Sequence, residues 1–316
     1  MPSSAVRTFA DPDDYAASVR GGCVDLTVTK RGNFHAKLTR IDLHRLWMQR
    51  FSESLPRVVD LTDLLAGRVY VTFRTRPGPS LVQGGVEILG TAVLRHGRTQ
   101  QYYQRSSGSA DFASMSLPTA EMASVGEALA AADLTTPQQN ISVAATPEAM
   151  ARLQRLHAAA GHLAEEAPEI IANPDAARGL EQALIEALVA CLGRRDEPEP
   201  IPAQGQHAIV MRRFRRVLEE NPEQPIYIPE ICRAIRVSER SLRVCCQEHL
   251  GTSPKRYLML RRMNLARRAL RTAATGDTSV TDIATRFGFW QLGRFAVEYR
   301  SLFGEAPSET LRRLPE

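Results

Sequence analysis

The sequence predicts an α+β protein, with an N-terminal mainly β domain followed by helices and then an all-α C-terminal domain. Three observations support this prediction: short strand-like stretches separated by glycine turns, a change to helical periodicity near residue 145, and a repeated helical unit in the last third of the chain. The 316 residues are 43% hydrophobic and 24% charged, which is typical of a globular protein of two domains. We place these domains at 1–193 and 207–316, joined by a linker over 194–206.

The first domain begins with a β unit over about 20–120. Rough alternation and β-branched residues mark Val24 to Lys30, Arg68 to Phe73 and Val86 to Leu94, and glycine-containing turns separate them. These features are typical of antiparallel strands.

Helices follow the strands over about 145–193. Apolar residues recur there every three or four positions, and the last helix starts near Pro174 with a narrow apolar stripe. Such a stripe favours packing on its own domain, and a homodimer seam is the alternative. The linker that follows contains three prolines and mixed charge, a composition that holds neither a helix nor a strand.

The basic charge of the chain is concentrated in the C-terminal domain. Residues 207–316 hold 20 Lys and Arg against 12 Asp and Glu, whereas the preceding 206 residues hold 20 against 23. Nearly all of the C-terminal cations are arginines, whose planar fork pairs with phosphate and with the guanine edge. This asymmetry predicts a polyanionic partner for the C-terminal domain.

Helix start and stop signals in this domain predict a helix-turn-helix motif over about 228–250. Pro229 suits a first helical turn, Ser238 suits the N-cap of a second helix, and Gly251 suits its end. A third, long helix is expected to start at Ser253-Pro254 and to run to about Ala274.

The same unit then recurs over about 280–303. Glu230-Ile231 returns as Asp282-Ile283 at an offset of 52, and Gly251 returns as Gly304 at an offset of 53, which places one extra residue near Gly288. Ser279 with Asp282 predicts a capping box. The connecting helix of about 20 residues spans ~30 Å, close to the ~34 Å turn of B-DNA. Two second helices at this spacing suit successive major grooves.

These residues resemble the AraC/XylS family of transcriptional regulators over about 100 residues. The resemblance rests on Asp282-Ile283-Ala284, Gly288-Phe289 and Phe303-Gly304, together with the stretch SERSLRVCCQEHLGTSPKRYLMLRRMNLARRAL. It implies two helix-turn-helix motifs bridged by a long helix, attached to an N-terminal sensing or dimerising domain. It further implies a cytoplasmic regulator that binds promoter DNA, with activation favoured over repression and RNA polymerase as a further partner.

Helical periodicity separates an outward face on each second helix, and these outward residues are the candidate DNA contacts. On the first recognition helix they are Arg240, Ser241, Arg243, Val244 and Gln247. On the second they are Gly293, Arg294, Ala296, Val297 and Arg300. The family reads bases from the positions of Arg240, Arg243 and Val244, and a basic residue is common at the last of these. Since Gly, Ala and Val occupy the second helix, we expect it to rely on phosphate and methyl contacts.

Other cations and aromatics in this domain have plainer interpretations. The leading-helix arginines are expected to be solvated charges, namely Arg212, Arg213, Arg215 and Arg216. The long-helix arginines are expected to divide between intradomain ion pairs and phosphate contacts, namely Arg261, Arg262, Arg267 and Arg268. Phe289 and Trp290 are expected to form the packing core of the second turn.

Two other classes of function stay open as alternatives. One is an architectural DNA-binding protein that recognises shape without sequence, although two separate recognition helices argue against it. The other is an enzyme with a metal site in the β region. His35, His44 and His96 stand alone, without the clustered ligands that such a site needs, so we expect no metal, cofactor or catalytic residue.

The sequence leaves the sensing function unassigned. A small-molecule effector could lie among aromatic residues of the β unit, although such residues are more often plain core: Phe34, Trp47, Phe51, Tyr70 and Phe73. The five cysteines show no ligand spacing, and we expect reduced, buried thiols. No apolar run is long enough for a membrane span, so we expect no membrane partner.

Overall fold

A computed structural model describes residues 1–98, 101–193, 204–273 and 278–312 of the chain. Residues 194–203 of the predicted linker lie outside these ranges, and the helix that follows begins at Gln204. No helix in the described ranges is long and apolar enough to cross a bilayer.

The N-terminal domain contains two antiparallel sheets. The larger sheet has the strand order β1-β3-β4-β11-β6-β9-β12. Its strands are β1 (Ser3–Phe9), β3 (Ala36–Asp42), β4 (Trp47–Glu53), β6 (Arg68–Arg74), β9 (Ala92–Arg95), β11 (Ala110–Pro118) and β12 (Ile141–Ala144). The smaller sheet has the order β2-β5-β10-β7-β8. Its strands are β2 (Cys23–Val28), β5 (Arg57–Thr62), β7 (Leu81–Gln83), β8 (Val86–Glu87) and β10 (Tyr102–Ser106).

Alternating side chains allow the two sheets to pack face to face. Leu38 and Phe51 of the larger sheet meet Leu26, Val59 and Leu61 of the smaller one in a shared apolar core. Helix α1 (Pro12–Ser18) contributes to this core and begins at an N-cap, Asp11.

The other face of the larger sheet is covered by helices. They are α2 (Thr119–Ala130), α3 (Pro147–Glu166), α4 (Pro168–Ala172) and α5 (Pro174–Leu192). Val71 and Met115 of the sheet pack with Leu153 of α3 and with Leu184 and Leu188 of α5. The apolar stripe of α5 therefore packs on its own domain.

In its described residues, the C-terminal domain consists of helices joined by short turns. Its helices are α6 (Gln204–Glu220), α7 (Ile228–Ile235), α8 (Glu239–Leu250), α9 (Pro254–Thr272), α10 (Val280–Arg286), α11 (Leu292–Phe303) and α12 (Pro307–Arg312). Two clusters of buried residues form its core, one around Phe214 and Leu242 and the other around Met263 and Phe295.

The predicted fold class is confirmed, and the β unit is larger than the range of about 20–120. It starts at Ser3, where β1 pairs with β3, and it ends with β12 at Ala144. The predicted strand Val86 to Leu94 is two strands, because Ile88 to Thr91 form a turn region between them.

Four cysteines are buried, as predicted, but Cys23 is exposed: the buried ones are Cys191, Cys232, Cys245 and Cys246. The prediction was wrong for Cys23, the first residue of β2, because the inward alternation of that strand is taken by Leu26 and Val28. Burial raises the pKa of the Cys191 thiol to about 11, so this thiol is protonated at neutral pH.

Candidate nucleic-acid interface

The two predicted helix-turn-helix motifs are present with the predicted repeat. Helix α7 and helix α10 begin 52 residues apart, at Ile228 and Val280, and helices α8 and α11 begin 53 residues apart, at Glu239 and Leu292. The backbone of Gly288 lies in the left-handed region (φ 77°), in the turn that carries the extra residue. The two motifs therefore have equivalent second helices.

Side-chain hydrogen bonds cap one helix in each motif. The Ser238 hydroxyl accepts from the Ser241 backbone N–H at 3.0 Å and so caps α8. Ser279 and Asp282 form the predicted capping box at α10, where the Ser279 backbone N–H donates to Asp282 at 3.0 Å. The hydrogen bonds that Asp282 accepts from the Ser279 hydroxyl, at 2.6 Å, and from the Ser279 backbone N–H lower the pKa of its carboxyl below the usual value.

Helix α8 has a buried face and an exposed face. Leu242, Cys245 and His249 point into the core. The exposed face holds the five residues predicted to contact DNA on this helix: Arg240, Ser241, Arg243, Val244 and Gln247. Within the described ranges, the guanidinium groups of Arg240 and Arg243 form no ion pair or side-chain hydrogen bond. Both guanidinium groups can therefore donate hydrogen bonds to a ligand.

Helix α11 presents a less polar exposed face. Gly293, Arg294, Val297 and Arg300 are exposed, with Val297 at 71%, while Ala296 is half-buried. Phe295, Tyr299 and Leu302 point into the core, as predicted.

The two arginines of α11 already have acidic partners. Arg294 Nε donates to Glu298 at 2.8 Å, and Arg300 Nη2 lies 3.7 Å from a Glu309 oxygen. Since these pairs are exposed, each is weak and open to exchange with phosphate. The free arginines of α8 are better placed for base reading than the paired arginines of α11.

The prediction for Trp290 was wrong. Phe289 is half-buried and its ring lies 4.8 Å from that of Phe295, but Trp290 is 69% exposed. Phe289 alone fills the space against Phe295, so the next side chain is left outside the core.

Trp290 borders a cationic groove that the sequence analysis did not identify. The groove measures about 540 Å³ and is also lined by Lys255, Arg256, Arg262 and Arg294. Lys255 and Arg256 stand in the first turn of α9, which contains no acidic residue. Cations at a helix N-terminus oppose the helix dipole unless an anion binds there, so this unfavourable placement is the sequence signal for the groove.

The buried position of Arg215 contradicts its predicted solvation. Its side chain is 3% exposed and pairs with Asp60 of the first domain. The charge lies on the inward face of α6, next to Phe214, and is compensated by a carboxylate that the sequence pattern does not reveal.

Two of the four long-helix arginines, Arg267 and Arg268, contact the first domain, which the sequence analysis did not predict. Arg267 also lies 3.7 Å from Glu305 of its own domain, and Arg262 lines the cationic groove. Arg268 Nη2 donates to Asp13 at 2.7 Å and to Asp25 at 3.1 Å, and Arg267 Nη1 lies 2.8 Å from Asp11. We call the whole set of cross-domain pairs the interdomain clamp: Asp11, Asp13, Asp14, Asp25 and Asp60 with Arg215, Arg267, Arg268 and Arg271.

In two strands of the smaller sheet, alternate side chains point to opposite sides: one set points between the two sheets and the other set points to the C-terminal domain. In β5, Arg57, Val59 and Leu61 point between the sheets, while Val58 and Asp60 point to the C-terminal domain. In β10, the register pairs the inward Tyr102 with Leu61 and the outward Tyr103 with Asp60. The ring of Tyr103 lies 6.1 Å from that of Tyr257 in α9. Neighbouring residues of one strand thus contact different domains.

The five aromatic residues considered for an effector occupy different places. Phe51 and Tyr70 line a cavity between the sheets. Phe34 packs beside Tyr15, Phe73 lies on the helix-covered face of the larger sheet, and Trp47 lies between two guanidinium groups. Within the part of the chain that the structure describes, no group of three or more His, Cys, Asp and Glu could hold a metal ion.

Comparison with known proteins gives the class of the C-terminal domain. A protein-family model for a helix-turn-helix domain matches residues 231–313. The chain is 34% identical over 128 residues to XylDLEGF operon transcriptional activator 2 of Pseudomonas putida, a match that covers 40% of this chain and 77% of that protein. It is 36% identical over 157 residues to the Probable thc operon regulatory protein of Rhodococcus erythropolis, with coverages of 48% and 46%.

Among solved structures, one that matches this chain is that of the AraC-like transcriptional activator CuxR. It is 15% identical to this chain, covers 87% of it and 98% of its own length, and has a TM-score of 0.45. The matches in sequence and the two motifs define a helix-turn-helix protein of the regulator class. The chain belongs to the AraC/XylS family of transcriptional regulators. It spans about half, or less, of the length of the first curated relatives it matches.

Proposed function

We propose that this protein regulates transcription by binding double-stranded promoter DNA through the exposed faces of α8 and α11. The observation that carries the proposal is the pair of equivalent second helices, each with an apolar face in the core and an exposed face that includes arginine. Recognition helices of helix-turn-helix domains enter the major groove in this way.

In this proposal, α8 contacts bases and α11 contacts mainly phosphates. Arg240 and Arg243 are free to donate bidentate hydrogen bonds to guanine, and Val244 offers a methyl contact to thymine. On α11, Val297 offers an apolar contact, while Arg294 and Arg300 exchange their carboxylate partners for phosphate. The groove beside Lys255 and Arg256 adds phosphate contacts between the two helices.

The N-terminal domain controls the DNA-binding domain in this proposal. A small-molecule effector between the sheets would contact the inward residues of β5 and β10, whose outward neighbours hold α6, α8 and α9. Effector binding would then change how the two DNA-binding domains of a homodimer are disposed, and hence their affinity for paired sites. We further propose that the protein is a regulator and not an enzyme. It would act in the cytoplasm as an activator and would contact RNA polymerase.

Selection of bound sequences from a random duplex pool tests the DNA-binding proposal. The full-length protein should enrich a site with two elements about one helical turn apart, ~34 Å. Affinity for the selected site and for a scrambled duplex is then measured across a salt series. The double variant Arg240→Ala/Arg243→Ala, in the C-terminal domain, is measured in the same way as the matched control. We expect the selected site to bind at least ~1,000-fold more tightly than the scrambled duplex.

An architectural protein would give another result. Both duplexes would bind alike at every salt concentration, no sequence would be enriched, and the double variant would lose affinity only in proportion to its lost charge. That outcome would refute sequence-specific regulation.

A further inference from the structure

A cavity of about 60 Å³ lies between the two sheets of the N-terminal domain. Its walls combine apolar and aromatic side chains, such as Phe51, Phe112 and Leu61, with the polar groups of Arg57, Tyr70 and His96. Phe51 and Phe112 are stacked at 4.5 Å, which makes one wall flat and apolar. A buried cavity with a few polar groups on apolar walls is the usual form of a small-molecule site.

A continuous chain of buried hydrogen bonds crosses the cavity wall. Tyr15 donates to Glu53 at 2.7 Å, and Arg57 Nε donates to the other Glu53 oxygen at 2.7 Å. Arg57 Nη2 donates to Gln104, whose amide donates to Gln83 at 3.0 Å. The Gln83 amide group in turn lies 3.2 Å from His96 Nε2. This network fixes the orientation of the Arg57 and His96 side chains.

Three buried polar atoms of residues that line the cavity have no hydrogen-bond partner in the described structure. They are Arg57 Nη1, His96 Nδ1 and the Tyr70 hydroxyl, and each residue is more than nine-tenths buried. The Gln83 oxygen accepts from Gln104, so its NH2 group faces His96 Nε2, and the Thr72 hydroxyl lies 2.8 Å from the same nitrogen. This arrangement favours the tautomer in which Nε2 accepts and the ring proton is on Nδ1. Burial lowers the pKa of His96 to about 3, so the ring is neutral at pH 7. All three groups can donate to a ligand, and an unpaired buried donor is costly without one.

The charges around the cavity are already balanced. Arg57 is paired with Glu53, and Arg20, the other cation on the wall, is paired with Asp42. A carboxylate ligand would therefore place an uncompensated negative charge in a buried space next to Glu53. An uncharged oxygen acceptor meets the same donors without this penalty.

The size of the cavity limits the ligand to a small group. A benzene-sized molecule needs about 150 Å³, whereas 60 Å³ is roughly twice the share of one water in liquid. A surface groove of about 460 Å³ shares Leu64, Tyr70 and His96 with the cavity. The remainder of a larger ligand would therefore extend past these side chains into the groove.

We propose that this cavity binds the carbonyl group of a small uncharged molecule, whose oxygen accepts hydrogen bonds from Arg57, His96 and Tyr70. This proposal rests on the proposed function in that the ligand would be the effector of the regulator. It names the chemical class and the residues that recognise it.

Isosteric probes test the proposal on the full-length protein without DNA. Acetone, acetamide and acetate each have four non-hydrogen atoms but differ in charge and in donors. Their dissociation constants are measured by ligand-observed NMR titration at constant ionic strength. We expect acetone to bind in a range of about 1 mM or tighter, acetamide more weakly because its amide protons find no free acceptor, and acetate at least ~10-fold more weakly than acetone.

A variant pair distinguishes the cavity from the rest of the domain. Tyr70→Phe removes a hydroxyl that has no partner in the described structure, so the variant should fold like the wild type and bind acetone about fivefold more weakly. Thr75→Val removes another buried, unpartnered hydroxyl away from the cavity and should leave binding unchanged.

Three results would overturn the proposal: no saturable acetone binding, acetate binding as tight as acetone, or equal effects of the two variants. Since DNA is absent from these titrations, such a result would refute the ligand site but not the proposed DNA binding. The selection of bound sequences tests DNA binding separately.

Discussion

At the scale of single residues, the position of each arginine in the fold determines its role. Arg243 is exposed and has no partner among the described residues, Arg300 is exposed and close to a carboxylate, and Arg215 is buried against Asp60. In the proposed function the same side chain therefore serves base reading in Arg243 and phosphate contact in Arg300, while Arg215 attaches the two domains to each other. This distinction requires the structure, because helical periodicity marks the exposed face but not the acidic partners from other elements.

The contrast between Arg243 and Arg300 gives the first prediction. Arg243→Ala should cost roughly 1 to 3 kcal/mol at the selected site and relax discrimination at one base pair, because it removes a base contact. Arg300→Ala should weaken binding to all sequences alike and lower the salt slope by about one, because it removes a phosphate contact. Binding titrations with matched and singly substituted duplexes measure both effects. An unchanged site preference and affinity in Arg243→Ala would show that the assigned reading face is wrong.

A second prediction concerns the buried arginine of the interdomain clamp. Arg215→Ala leaves the Asp60 carboxylate buried without its cation and should lower the free energy of unfolding by about 3 to 5 kcal/mol. Its neighbour Arg216 forms an exposed pair with Glu220, and Arg216→Ala should cost about 1 kcal/mol or less. Urea unfolding of the two variants compares them directly. Equal losses would contradict the structural role given to Arg215.

At the scale of elements, the helices of the C-terminal domain were predictable and several strands were not. Each helix-turn-helix motif carries its own start and stop signals, such as Ser238 and Gly251, and local sequence sets the helix ends. Strand β1 has no comparable signal, because its residues alternate only weakly and depend on pairing with β3.

The same difference applies to the candidate sites. The exposed face of α8 follows from the spacing of Leu242, Cys245 and His249, so the residues on this face were predictable from one segment. The cavity unites residues as distant as Tyr15 and Phe112, which meet only through sheet pairing and sheet packing. Such long-range neighbours leave no local periodicity in a single sequence.

The turn of the second motif gives the third prediction. A Cβ at Gly288 would lie 2.6 Å from Pro225 Cβ, and its backbone is in the left-handed region. Gly288→Ala should therefore destabilise the protein by about 1 to 3 kcal/mol. In Gly293→Ala, the added methyl group meets open space within α11 and should stabilise the protein by roughly 0.5 to 1 kcal/mol. Denaturant unfolding of both variants tests the opposite signs, and a stabilising Gly288→Ala would refute the strained turn.

At the scale of the whole molecule, four layers are stacked. The helices α2 to α5 cover the larger sheet, the larger sheet packs on the smaller one, and the smaller sheet packs on the C-terminal domain. The last contact includes Val58 and Tyr103 in an apolar cluster with α6 and α8, besides the interdomain clamp. The DNA-binding domain is thereby attached through both apolar and charged contacts, while its reading faces are exposed.

Buried histidines give the fourth prediction, a dependence of stability on pH. Burial lowers the pKa of His96 and His157 to about 3 and that of His249 to about 4, whereas the unfolded value is about 6.5. The unfolded chain therefore binds more protons below pH 6.5, so the stabilisation present above this value is lost as the pH falls towards 3. Between pH 7.5 and 5.5, the loss should be about 1.4 kcal/mol for each histidine.

Urea unfolding at the two pH values measures the loss, and NMR titration of the histidine ring protons identifies its source. The signals of His96, His157 and His249 should stay at their neutral positions down to pH 5.5. If any of these rings becomes protonated in the folded protein near pH 6.5, the expected loss from that residue disappears.

The alternation along β5 and β10 separates two sets of positions that can be varied independently. In the proposed function, libraries at the inward positions would change which molecule the protein detects: Arg57, Val59, Leu61, Tyr102 and Gln104. Libraries at the outward positions would change how strongly detection alters gene expression: Val58, Asp60, Tyr103 and Arg105. A biosensor built on this chain would thus have its specificity and its gain encoded in adjacent codons of the same two short segments.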